Sequence, residues 1–234
     1  MYDPIVLDHK TAFMQRIADY VRMGYIYWTA GEVPLDRATA FVRKFERYYA
    51  VNLDRNRRAR AKAAKEGCTV LLLYSPKSEP LAPLRFVLLV TYGDHPAHSL
   101  ERLKNALEAH QWVELTGYEL VRHTRPGNSA PSWTWRMTEA NYTAWRTRII
   151  ATIRCKNPSE IEKAVVTLYR SPGFAGIRKQ VGKLVTLIKE EWRRSGEENT
   201  LPPGLPRSLG YAQRLPHKGQ RLTAILRLAN EASK

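Results

Sequence analysis

Residues 69–74 read Thr-Val-Leu-Leu-Leu-Tyr, and residues 85–92 read Arg-Phe-Val-Leu-Leu-Val-Thr-Tyr. Each run has the length of a strand and is apolar without alternation. A strand with one solvated face alternates polar and apolar residues, whereas a strand apolar on both faces belongs in a sheet covered on both sides. The Pro-containing loop between them, Ser75 to Pro83, lets the two runs be neighbours. These two runs set the expectation of a layered protein with a sheet at its centre.

Working outward, residues 9–23 read as a helix with Phe13, Ile17, Tyr20 and Val21 on one face. Residues 24–29 (Gly-Tyr-Ile-Tyr-Trp-Thr) are β-like and end at Gly31. A helix from Asp36 presents Ala38, Phe41, Val42, Phe45 and Tyr49, and residues 98–110 read as a helix through Leu100, Leu103 and Leu107. Residues 118–124 and 133–138 form a hairpin around Arg125-Pro126-Gly127-Asn128-Ser129-Ala130-Pro131. Residues 139–153 read as a helix. Ser159 with Glu162 reads as a capping box opening the next one. Ser171-Pro172-Gly173 breaks that helix, and a longer one runs from Phe174 to Trp192.

The expected fold class is α+β: a small, mostly antiparallel sheet flanked by helices, with a C-terminal helical layer and a basic Pro/Gly-containing tail. One domain is expected over residues 1–196, comprising a basic helix at 55–67, a sheet region at 68–138 and a helical region at 139–196. Residues 197–234 read as a linker, with Pro202, Pro203 and Pro206, followed by a short docking helix.

The formal net charge is +16 on 234 residues, and it is unevenly placed. Residues 1–54 and 68–140 each carry seven basic and seven acidic residues. Residues 55–67 (RNRRARAKAAKEG) carry six basic and one acidic, residues 141–196 twelve against four, and residues 197–234 six against three. Cations segregated onto small helices beside neutral core segments point to a polyanionic partner. The alanines at 59, 61, 63 and 64 keep the first block slim enough to approach a phosphate backbone, and its spacing places Arg55, Arg58, Lys62 and Lys65 on one helical face.

The expected function is therefore nucleic-acid binding, to DNA or RNA, within a prokaryotic nucleoprotein complex that includes other protein subunits. One phosphate-gripping surface comprises Arg55, Arg57, Arg58, Arg60, Lys62 and Lys65. A second comprises Arg146, Arg148, Arg178, Lys179 and Lys183, and Arg125 in the hairpin loop is a separate candidate contact. The two helices around Ser171-Pro172-Gly173 also suit a helix-turn-helix, with Arg178, Lys179, Gln180 and Lys183 at the start of the reading helix. Trp133 and Trp135 alternate along one strand and project from one side, as core packing or as a base-stacking platform.

A catalytic alternative uses Asp94, His95 and His98 in the loop after the second apolar run, with Tyr142 downstream. This set compares with the rolling-circle initiators and conjugative relaxases, which use a His-hydrophobic-His pair on a strand, a metal and a nucleophilic tyrosine. The chain departs from that pattern, because two residues, one of them proline, separate its histidines, which lie beyond the strand. There is no phosphate-cradling glycine loop, zinc-ligand spacing or GxSxG motif. No cofactor or metal is therefore expected, and a binding protein is favoured over an endonuclease. A scaffold for acidic partners is a further alternative.

Cys68 and Cys155 stand alone and read as reduced, buried thiols. With no apolar run near the roughly 18 residues that span a bilayer, the expectation is a cytoplasmic protein without a membrane partner.

Overall fold

The structure is a computed structural model that describes residues 2–79, 81–124, 127, 130–196 and 201–232. In chain order its elements are β1 (Ile5–Leu7), α1 (Lys10–Arg22), β2 (Tyr27–Val33), α2 (Leu35–Tyr49), α3 (Arg55–Ala63), β3 (Thr69–Tyr74), β4 (Leu84–Val90), α4 (Ala97–Leu100), β5 (Lys104–Asn105), β6 (Val113–Leu115), β7 (Tyr118–His123), β8 (Ser132–Met137), α5 (Glu139–Arg154), α6 (Pro158–Tyr169), α7 (Ala175–Arg194), β9 (Gly219–Arg221) and α8 (Leu222–Ala232). The class is α+β, as expected. The chain groups into two compact units, Met1–Val113 with Arg214–Lys234, and Glu114–Gln213.

In the first unit a six-stranded sheet runs β5-β2-β4-β3-β1-β9. Every pairing is antiparallel except β1 with β3. The two apolar runs are its adjacent central strands, paired from Thr69↔Val90 to Tyr74↔Arg85. All six residues of β3 are buried. Their period-2 alternation divides them between two helical layers. Leu71 and Leu73 of β3, with Leu84, Leu88 and Val90 of β4, join Ala38, Val42, Phe45 and Tyr49 of α2 and Leu222 of α8 in one core cluster. On the other side Tyr74 stacks on Phe13 of α1, with ring centroids 5.3 Å apart. The helix expected near the C-terminus is thus α8, whose Leu222, Ile225 and Leu226 pack on this core.

Two local expectations in this unit are corrected. Strand β2 continues through Gly31 to Val33, because Gly31 pairs with Phe86 and leaves room for its ring; an added Cβ would lie 2.9 Å from Phe86 Cε1. The helix expected over 98–110 stops at Leu100. Chain 104–105 instead pairs with β2. Side chains there satisfy the backbone locally: Asn105 Oδ1 accepts from Leu107 N at 3.1 Å, and Gln111 Oε1 accepts from Asn105 N at 2.9 Å. Such bonds compete with helix.

In the second unit a three-stranded sheet, β6-β7-β8, carries α5, α6 and α7. The expected hairpin is β7 with β8, in register Tyr118↔Met137 to His123↔Ser132. The expected capping box at Ser159 and Glu162 is replaced by Asn157, whose Oδ1 accepts from Ser159 N and Glu160 N, with Pro158 at the first helical position. Cys68 is buried and Cys155 is exposed at the C-cap of α5, so the expectation of burial fails for the second thiol.

Leu88→Ala should lower stability by about 2–5 kcal/mol in urea unfolding, since Leu88 is fully buried between β4 and α2. Leu100→Ala should change it by no more than about 0.5 kcal/mol, because Leu100 is 60% exposed where the expected helix would have buried it.

Candidate nucleic-acid interface

Helix α3 has no buried residue, so packing of its own side chains into the core does not position it. Asp54 is its N-cap, with Oδ1 accepting from Arg57 N at 2.8 Å, and that bond holds the Asp54 carboxyl below the usual carboxylate range. Lys62 Nζ donates to Met23 O at 3.0 Å and lies 4.1 Å from the centre of the Tyr25 ring. The Arg58 guanidinium lies 5.9 Å from the Tyr20 ring, and Cys68 Sγ contacts Arg58 O at 3.5 Å. Burial pushes the Lys62 ammonium down from its ordinary value and the Cys68 thiol up.

The single face expected for Arg55, Arg58, Lys62 and Lys65 therefore divides. Arg58 and Lys62 lay their aliphatic stems and charges against tyrosines, while Arg55, Arg57 and Arg60 are exposed. Arg57 has only the exposed Asp54 at 3.7 Å, and neither Arg55 nor Arg60 has a carboxylate within 4.0 Å among the described residues.

Lys65 lies beyond the helix in the left-handed region, at φ 62°. There the chain meets the histidine loop: Gly67 N donates to Asp94 O at 2.9 Å, and Glu66 bridges Asp94. The contact requires glycine, because a Cβ on Gly93 (φ 121°) would lie 2.6 Å from Gly67 N. Tyr27, Lys65, Tyr92, Asp94, His95 and His98 line a cleft of about 910 Å³ here. His98 Nε2 lies 3.0 Å from the carbonyl of Thr91, which can only accept, so Nε2 donates there. His95 has a structural task. Its Nδ1 accepts from Ala97 N at 3.1 Å, and burial lowers its pKa against a hydrogen bond to the Tyr49 backbone that raises it. Tyr142 belongs to α5, in the second unit. Among the described residues no three His, Cys, Asp or Glu side chains cluster as metal ligands.

In the second unit the start of α7 is packed on β8. Gly176 N donates to Thr134 Oγ1 at 3.0 Å, and the amide of Gln180 both donates to Met137 O and accepts from Met137 N, at 3.0 and 2.6 Å. This amide covers the open backbone of an edge strand. The helix-turn-helix expectation is corrected accordingly: Gln180 is spent on β8, and Arg178 donates through Nε to Leu209 O at 2.8 Å. Lys179 and Lys183 remain exposed one turn apart. Arg146 and Arg148 are both exposed but lie about 200° apart around α5, so they share no face. Arg125 lies outside the described residues. Trp135 is fully buried, and the half-buried Trp133 has the Arg122 guanidinium 5.9 Å from its ring.

Comparison with protein-family models, with curated proteins and with solved structures finds no match in any of the three. Among the described residues no helix is long and apolar enough to cross a membrane.

Proposed function

We propose that this protein binds nucleic acid, DNA or RNA, as part of a nucleoprotein complex, with Arg55, Arg57 and Arg60 of α3 gripping the phosphate backbone. The observation that carries the reading is a helix with no core residue, pinned by its N-cap, Lys62 and Arg58, and turning three arginines outward. A solvated charge run needs no such anchoring. The flanking alanines keep the surface low, and each phosphate neutralised releases counterions, so affinity follows charge before sequence. Lys65 extends the cationic surface to the cleft. In the second unit Lys179 and Lys183 of α7 supply a further cationic face, and a cytoplasmic setting with other protein subunits fits the same reading.

The binding test is a salt titration with labelled single-stranded and duplex oligonucleotides. The log of affinity should fall steeply with log salt. Arg55, Arg57 and Arg60 changed together to Ala should flatten that slope by about one unit for each phosphate left without its cation. Arg58→Ala, at a side chain directed to Tyr20, should change it less. A flat slope, or one unchanged in the triple variant, overturns the proposal.

A second reading, an endonuclease, rests on His98, which lines the cleft with Lys65 and has its Nε2 held at Thr91 O. Labelled single-stranded and hairpin DNA and RNA, incubated with and without divalent metal, should stay intact. Cleavage that disappears in His98→Ala or Tyr142→Phe would replace binding by catalysis.

A further inference from the structure

The Pro/Gly segment after residue 200 is tied along α6 and α7. Tyr169 donates its hydroxyl to Pro206 O at 3.0 Å, Arg178 Nε donates to Leu209 O at 2.8 Å, and Ala212 N donates to Gly173 O at 2.9 Å. The approach is close enough to demand glycine at 173, since a Cβ there would collide with Gly210 O. Between this segment and α7 is a pocket of about 360 Å³, whose lining includes Tyr169, Arg178, Lys179, Arg207, Ser208 and Tyr211. None of its lining residues is acidic.

Arg178 is the organised element of this pocket. Its Nε is held by Leu209 O, and its guanidinium carbon lies 3.5 Å from the centre of the Tyr211 ring, which fixes the plane of the group. The terminal Nη1 and Nη2 have no hydrogen-bond partner among the described residues. A guanidinium held by one edge and one face presents its remaining N–H groups as a fork, the geometry that takes two oxygens of a phosphate. Lys179 and Arg207 add two more charges. Three cations in a lining that includes no acidic residue match a phosphate monoester, which carries about −1.5 to −2 at neutral pH, better than a singly charged carboxylate. Ser208 adds a hydroxyl, and Tyr211 is 72% exposed.

We infer that this pocket binds the phosphate monoester of a nucleotide, with Arg178 as the bidentate ligand and Lys179 and Arg207 as flanking charges. The site is distinct from the arginine surface of α3 and does not depend on it. The test is isothermal titration calorimetry on the full chain with thymidine 5′-monophosphate and with thymidine. The monophosphate should bind at least about tenfold more tightly than the nucleoside, and equally well to the Arg55, Arg57 and Arg60 triple variant. Arg207→Ala, an exposed position, and Arg178→Lys, which keeps the charge and loses the fork, should each weaken it by about tenfold. A pentathymidylate with a 5′-phosphate, set against the same strand with a 5′-hydroxyl, separates the sources. A gain from the phosphate assigns the pocket to strand ends, and a gain seen only with the mononucleotide assigns it to free nucleotides. Equal affinity for thymidine and its monophosphate, or monophosphate binding unchanged in both variants, overturns the inference.

Discussion

The pairing of β3 with β4 is the constraint on which the first unit depends. Thr69 opposite Val90 does more than place two apolar strands at the centre of a sheet. It sets the chain entering β3 against the chain leaving β4, so that Cys68 N donates to Thr91 Oγ1, Thr91 N to Cys68 O, and Gly67 N to Asp94 O. The end of the arginine helix and the histidine loop, 27 residues apart from Gly67 to Asp94, are brought together by that register. A slip of one residue would exchange the faces given to α1 and α2 and separate the two loops. Core and cleft therefore rest on the same ladder.

What was legible in the sequence was what periodicity and run length encode. The two apolar runs, the amphipathic helices around Phe13 and Phe45, and the β7–β8 hairpin all formed as read. What was not legible depended on partners far along the chain. Strand β1 has three residues and β9 is wholly exposed, so neither carries a pattern of its own; each exists through pairing, β1 with β3 and β9 with β1. The failed helix at 98–110 had suitable leucine spacing, but polar side chains at Asn105 and Gln111 and the open edge of β2 outweighed it. Glu191 was hidden for a related reason. A carboxylate 5% exposed on α7 is supported by Arg194, one turn on at 2.5 Å, and by Arg154 of α5 at 3.7 Å, a partner that spacing along α7 alone does not reveal.

Charge was legible as an amount and not as a direction. All six cations of residues 55–67 count alike in composition, yet Lys62 and Arg58 are drawn onto Tyr25 and Tyr20, leaving Arg55, Arg57 and Arg60 outward. The same division recurs in the second unit, where Arg178 stacks on Tyr211 and Lys179 beside it stays exposed. In each block some cations serve as anchors, and the remainder are presented in a defined direction. Arg207 and Tyr211 had no signal in the sequence, because they sit in a segment whose prolines and glycines describe a linker; only the hydrogen bonds that bind it along α7 bring them to Arg178.

The central claim is that α3 meets nucleic acid through its outward arginines. Arginine-selective chemical modification read by mass spectrometry, with and without a saturating oligonucleotide at low salt, tests it residue by residue. The account predicts that Arg55, Arg57 and Arg60 become protected in the complex, while exposed arginines outside the proposed surfaces, such as Arg22 and Arg227, keep their reactivity. Equal reactivity of the α3 arginines in the free and bound states, with protection located elsewhere, would contradict it.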